Sequence, residues 1–94
     1  MNKLSVIIPF KSGSAFLRQS ITSLEMQNFR NFEAVYIENG VKDSYRESFK
    51  SLDSRFKYVY SPIANVSNAR NIGIKVSSGE YVAFIDIDDK MDSN

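Results

Sequence analysis

The chain contains no cysteine, no histidine and no tryptophan, and only two of its 94 residues are proline. Without thiols there is neither a disulfide framework nor a thiolate metal site, and without imidazole a nitrogen-rich transition-metal site is excluded as well. Any metal must be held by oxygen. Charge of one sign is also missing: twelve basic and eleven acidic residues leave a formal net charge of +1. That balance creates no global field for nucleic acid or an anionic membrane, so no nucleic-acid partner is expected. No apolar run approaches the roughly 18 residues of a membrane span, and the first residues form no charged-then-apolar leader. The expected location is the cytoplasm, with peripheral membrane association of the intact protein left open.

What is present is an apolar content of 43%, enough for one small core. A chain of this size buries only about 60–65% of its unfolded surface, so a single domain over residues 1–94 is the ceiling. There are no internal repeats, low-complexity segments or linkers to divide it. Leu4 to Pro9 is a β-branched run that reads as a buried strand, stopped by Pro9 with a loop from Phe10 onward. Ser14 is a candidate N-cap for a helix carrying Leu17, Ile21 and Leu24 and ending near Gln27-Asn28. Phe32 to Ile37 is a second strand, closed by Glu38-Asn39-Gly40, where Asn-Gly readily supplies positive φ. A second helix capped by Asp43 presents Tyr45, Phe49 and Leu52. Phe56 to Tyr60 is a third strand, Ser67 to Ser77 a third helix over Ala69, Ile72 and Val76, and Gly79 its stop. Tyr81 to Ile85 is the fourth strand. The order βαβαβαβ with near-continuous apolar strands predicts an α/β, Rossmann-like, three-layer parallel sheet with helices on both faces.

The fourth strand runs straight into Asp86-Ile87-Asp88-Asp89. Residues i and i+2 of a strand share a face, so Asp86 and Asp88 should point the same way as the strand leaves the core. Acidic residues after a strand also fit a solvated turn. Yet two carboxylates on one face beside Asp89 repel unless a cation neutralises them, and Mg²⁺ or Mn²⁺ prefers such hard oxygen ligands together with substrate phosphates. Arg70 lies among small and apolar helix positions, where it could equally be an exposed side chain capping a neighbouring carbonyl. Gly73 reads as a point of close helix-to-strand packing. Ser5 and Pro9 read as structural in themselves.

The opening Leu4-Ser5-Val6-Ile7-Ile8-Pro9-Phe10, the block Asn68-Ala69-Arg70-Asn71-Ile72-Gly73-Ile74 and the terminal Asp-x-Asp occur in an order that resembles the family 2 glycosyltransferases, enzymes of the GT-A fold. The resemblance spans essentially the whole chain. Together with right-handed crossovers it implies strand order 3-2-1-4, the N-terminal half of a GT-A fold, so that the segments after strands 1, 2 and 4 converge at one carboxyl edge. It further implies a nucleoside-diphosphate sugar as ligand, bound by Pro9, Phe10, Glu38, Asn39, Arg70 and Asp86. By the same resemblance Asp86 contacts the ribose side, Asp88 holds the Mg²⁺ or Mn²⁺ that bridges the diphosphate, with Asp86 beside it, and Asp89 supports both. An arginine at position 70 would sit beside the nucleotide, where its planar fork binds phosphate or stacks on the base better than lysine.

Two departures from the family pattern stand out. Glu38-Asn39-Gly40-Val41 replaces the usual Asp-Asp-Gly-Ser, whose second member accepts the imide hydrogen of a uridine. Asn39 can accept that hydrogen through its amide oxygen or donate to another base through its NH₂ group. Ala64-Asn65 replaces a glycine-containing turn, and Asn65 tolerates left-handed geometry. The resemblance also implies an acceptor subdomain beyond the Asp-x-Asp, with the general base that deprotonates a carbohydrate or lipid-linked acceptor. None of that lies within these 94 residues, which therefore read as the donor half of a metal-assisted, inverting enzyme of polysaccharide biosynthesis, inactive as a fragment. A sugar nucleotidyltransferase and a non-catalytic domain serving in assembly are the alternatives, although Lys11-Ser12-Gly13-Ser14 is poor in glycine for the former. As an edge, strand 4 would expose Val82, Phe84 and Ile85, which predicts a homodimer through that strand.

Overall fold

The computed structural model describes residues 4–11, 16–27, 30–40, 45–62 and 65–85. Seven elements follow one another in strict alternation: β1 (Leu4–Lys11), α1 (Leu17–Glu25), β2 (Phe32–Asn39), α2 (Arg46–Lys50), β3 (Phe56–Ser61), α3 (Val66–Val76) and β4 (Tyr81–Phe84). The four strands are parallel in the order β3-β2-β1-β4, the expected arrangement. Every residue of β2 is buried, as a central strand of a covered parallel sheet requires. Alternation along the strands divides the core in two. Val6, Ile8, Ala34 and Tyr36 pack with Leu17 and Leu24 of α1 and Phe49 of α2. On the other face, Ile7, Val35 and Ile37 pack with Ala69 and Ile72 of α3. Among the described residues no helix is long and apolar enough to cross a membrane.

The strand order reverses at β1, where the chain leaves toward β2 and β3 and later returns on the far side to form β4. A crevice outside the carboxyl ends of the strands at such a switch point is where open α/β sheets bind ligands.

Several local expectations are corrected. Pro9 does not end β1, which continues to Lys11. The Ile85 N–H donates to the Ile7 carbonyl, so the odd-numbered backbone groups of β1 face β4. The missing N–H of Pro9 therefore points past the last β1–β4 pair, Ile7 with Phe84, where no ladder bond is lost. Likewise Glu38 and Asn39 are the last two residues of β2 rather than a loop, because Phe10 and Lys11 pair with them on one side and Tyr60 and Ser61 on the other. The N-cap positions of α1 and α2 are Phe16 and Tyr45, neither with a side-chain cap. Ser14 and Asp43, expected there, lie outside the described residues. Asn65 is not left-handed: it is extended, with φ −141°, and its side chain caps α3 by accepting from the Asn68 N–H.

The two α3-side glycines serve close approach. A Cβ on Gly73 would collide with Ile7 Cγ2 and lie 3.1 Å from Ile37 Cδ1. Gly79 is no helix stop, since α3 ends at Val76 with Ser77 as an extended cap. A Cβ there would lie 2.6 Å from Ser5 Oγ and 2.7 Å from the Ser5 nitrogen. Ser5 accepts from the Gly79 N–H at 2.8 Å and donates to Glu33 at 2.5 Å, while the Ser78 N–H and Lys57 Nζ each reach the same carboxylate at 2.5 Å. This fully buried Glu33 fastens the α3–β4 connection to the amino-terminal end of the sheet.

Candidate functional site

Because the strands are parallel, β1, β2 and β3 deliver their last residues to one edge. There Pro9 pairs with Ile37, Phe10 with Glu38 and Lys11 with Asn39, and on the other side Glu38 pairs with Tyr60 and Asn39 with Ser61. Pleating sends Phe10, Glu38, Tyr58 and Tyr60 to the α1/α2 face and Asn39 and Ser61 to the α3 face.

The Phe10 ring is core, 6.2 Å from the Tyr36 ring and 5.8 Å from that of Tyr45, which leaves its backbone for any contact with a ligand. Glu38 is fully buried and accepts from the Tyr58 hydroxyl at 2.5 Å. Arg46 in turn lies over the Tyr58 ring, 5.1 Å from its centroid. The turn beyond β2 is held from β3 twice. Gly40, with the expected positive φ of 135°, donates its N–H to the Ser61 carbonyl at 3.3 Å and accepts from the Tyr60 hydroxyl at 3.0 Å. Tyr58, Tyr60, Ser61 and Asn68 thus brace the Glu38-Asn39-Gly40 segment, and sequence reasoning assigned none of them a role. The signal was faint but present: Tyr58 and Tyr60 share a face at period two, and that face is Glu38's.

On the α3 side, Asn39 and Ser61 are both about 2% exposed, and Asn68 Nδ2 donates to Ser61 Oγ at 3.0 Å. Arg70 is exposed on α3, and its guanidinium lies over the Phe84 ring, 5.7 Å from the centroid. Phe84 ends β4, so Arg70 stands two residues of chain from Asp86. Asp86, Asp88 and Asp89 themselves lie outside the described residues. Among the described residues no three Asp, Glu, His or Cys side chains cluster as a metal centre. A cavity of about 520 Å³ opens instead between α1 and α2, lined by Leu17, Ile21, Tyr45 and Leu52 with Arg18 and Glu25. It holds none of the residues nominated above, and we assign the site to the strand ends.

The structure therefore brings Pro9, Phe10, Glu38 and Asn39 together and sets Arg70 at the end of β4. A parallel α/β sheet with this order, polar side chains at its carboxyl edge and an arginine beside the switch point defines a nucleotide-binding class of fold. Comparison with known proteins narrows it. Residues 5–94 match the family model for glycosyl transferase family 2, and the chain belongs to that family. It is 40% identical over 89 residues to an uncharacterized glycosyltransferase of Rickettsia bellii, an alignment covering 93% of this chain and 13% of that protein. Glycosyltransferase GlyA of Streptococcus pneumoniae is 35% identical over 91 residues, with 94% and 13% covered. Among solved structures, S. aureus TarS 1-349 superposes with a TM-score of 0.81 at 26% identity, over 97% of this chain and 29% of that one. The same TarS fragment in complex with UDP-GlcNAc gives a TM-score of 0.81 at 25% identity, over 97% and 28%. The expected GT-A arrangement is thus found, and the chain spans only 13% of the two curated relatives and less than a third of the TarS chain.

Proposed function

We propose that the carboxyl edge binds the nucleoside diphosphate of a sugar donor and that the intact enzyme transfers the sugar to an acceptor hydroxyl. The observation that carries this reading is the convergence of Asn39, Glu38 and the Phe10 backbone beside β4, whose chain continues into Asp86 and Asp88. The UDP-GlcNAc complex of TarS supports a nucleotide-sugar ligand at the corresponding fold. Asn39 reads the base, with Glu38 held beneath it by Tyr58. Arg70 pairs with phosphate or stacks on the base, and Phe84 beneath its guanidinium pre-orients it. Asp86 takes the ribose side.

The donor set after β4 fits a divalent cation. Two carboxylates at i and i+2, in a chain free of thiol and imidazole, are hard oxygen ligands of the kind Mg²⁺ or Mn²⁺ takes alongside phosphates. Asp88 would be the main ligand and Asp86 the second. When bound, the cation would neutralise charge developing on the departing diphosphate. Transfer by direct displacement, with the acceptor hydroxyl attacking the anomeric carbon opposite the diphosphate, inverts that carbon. The acceptor, carbohydrate or lipid-linked, and the base that deprotonates it would come from outside this chain.

Calorimetric titration with uridine and cytidine diphosphates, with and without Mn²⁺, tests the proposal. Binding is expected only with metal, because two phosphates beside Asp86 and Asp88 otherwise meet like charge, and Asp88→Ala should abolish the metal dependence. Equal affinity with and without Mn²⁺ removes the metal from the scheme. Absence of binding under every condition refutes the nucleotide reading.

A further inference from the structure

Three polar side chains meet where β2, β3 and α3 converge. Asn39 and Ser61 are partners in register on the α3 face, both almost fully buried. Neighbouring strands run about 4.8 Å apart, so side chains of registered partners on one face come within hydrogen-bonding reach. Asn68, in the first turn of α3, donates from Nδ2 to Ser61 Oγ at 3.0 Å. Its backbone is fixed as well, since its N–H donates to the capping Asn65 Oδ1 at 3.0 Å.

A hydroxyl that accepts from one neighbour directs its own proton elsewhere, and an asparagine amide is a donor at one end and an acceptor at the other. Which end of a buried amide faces a ligand is therefore decided by what the opposite end meets. We infer that Asn68, acting through Ser61, sets which end of the Asn39 amide faces the nucleotide base, and so is a positioning residue for base choice. The inference rests on the nucleotide-binding reading above. With Asn68 donating to Ser61, the Ser61 hydroxyl donates to Asn39 Oδ1 and the Asn39 NH₂ group turns to the base. A donor there suits cytosine, whose ring N3 accepts, over uracil, whose N3–H donates. In Asn68→Asp the introduced side chain can only accept. The Ser61 proton then goes to that carboxylate, Ser61 accepts from the Asn39 NH₂ group, and Oδ1 turns to the base to receive the uracil imide hydrogen.

The test is the ratio of uridine to cytidine diphosphate affinity, measured by calorimetry with Mn²⁺ for the wild type, Asn68→Asp, Asn68→Ala and Asn65→Ala. In Asn68→Asp the ratio should rise by about five- to tenfold, the scale of one hydrogen bond gained and one mismatch removed. In Asn68→Ala it should move toward one. Asn65→Ala removes the cap of the same helical turn without touching Ser61, and should leave the ratio unchanged. A ratio in Asn68→Asp within about twofold of the wild type overturns the inference while leaving nucleotide binding intact. If Asn68→Asp fails to fold, as circular dichroism would reveal, an unchanged ratio in Asn68→Ala overturns it instead. A wild type that binds neither nucleotide refutes the underlying reading, and the inference falls with it.

Discussion

Replacing Glu33 by glutamine should flatten the acid side of the stability profile. Burial pushes the Glu33 carboxyl upward, but hydrogen bonds from Lys57, Ser5 and the Ser78 amide, with the Lys57 charge, outweigh it and hold the pKa down at about 2 from an ordinary 4.5. The difference in proton affinity is worth about 3 kcal/mol at roughly 1.4 kcal/mol per pH unit. A folded-state pKa below the unfolded one means that this stability is fully present above about pH 4.5. It is lost as pH falls toward 2, because the unfolded chain takes up the proton first. A domain of this length commonly has only about 5–14 kcal/mol in total, so the loss is a large share. Urea unfolding followed by circular dichroism at intervals from pH 6 to pH 2 measures it. The wild type should lose about 3 kcal/mol more over that range than Glu33→Gln. At pH 6 the variant should be weaker, since its amide brings an NH₂ group against the donors Ser5, Ser78 and Lys57. Parallel acid profiles for the two proteins would refute the argument and assign the acid sensitivity to other carboxylates.

Gly79→Ala should destabilise the chain by about 1–3 kcal/mol in the same urea assay, because its Cβ meets the Ser5 nitrogen and the Leu4 carbonyl carbon, backbone atoms that cannot step aside. An unchanged midpoint would mean that the α3–β4 connection does not approach β1 so closely. The outer strand β4 leaves Tyr81, Val82 and Phe84 exposed, so the 94-residue chain should self-associate at high concentration, and Val82→Lys should weaken that association in sedimentation velocity. A wild type that sediments as a monomer at millimolar concentration would show that this edge does not recruit a second copy.

The strand order was legible because βαβ alternation with right-handed crossovers admits few sheets, and the apolar runs of β1 and β2 could only be covered strands. The ends of those strands were not. Pro9 read as a stop, since a sequence does not say toward which neighbour the missing N–H would point. Here it points past the end of β4. Glu38 and Asn39 read as a loop because they are polar, yet partners on both sides keep them in the ladder. The helix around Phe49 shrank to five residues although Tyr45, Phe49 and Leu52 all reach the same core, because residues flanking a short helix can pack without being in it.

The site divides along the same line. Residues that would touch a ligand follow motif positions, and motifs are local: Asn39 after the second strand, Arg70 in the third helix, Asp86 and Asp88 after the fourth. Residues that orient them are joined only by the fold. Tyr58 and Glu38 are 20 positions apart, Ser5 and Gly79 are 74 apart, and no spacing in the sequence announces either pair. Glu33 shows the consequence most plainly. In sequence it is a charge interrupting an apolar strand. In the structure it is the buried acceptor that gathers Ser5, Lys57 and Ser78 at the end of the sheet opposite the candidate site. Fastening α3 to β1 and β4 there holds the helix that carries Asn68 and Arg70 at a fixed height over the carboxyl edge. Stability at one end of the sheet and ligand geometry at the other are thus properties of the same helix.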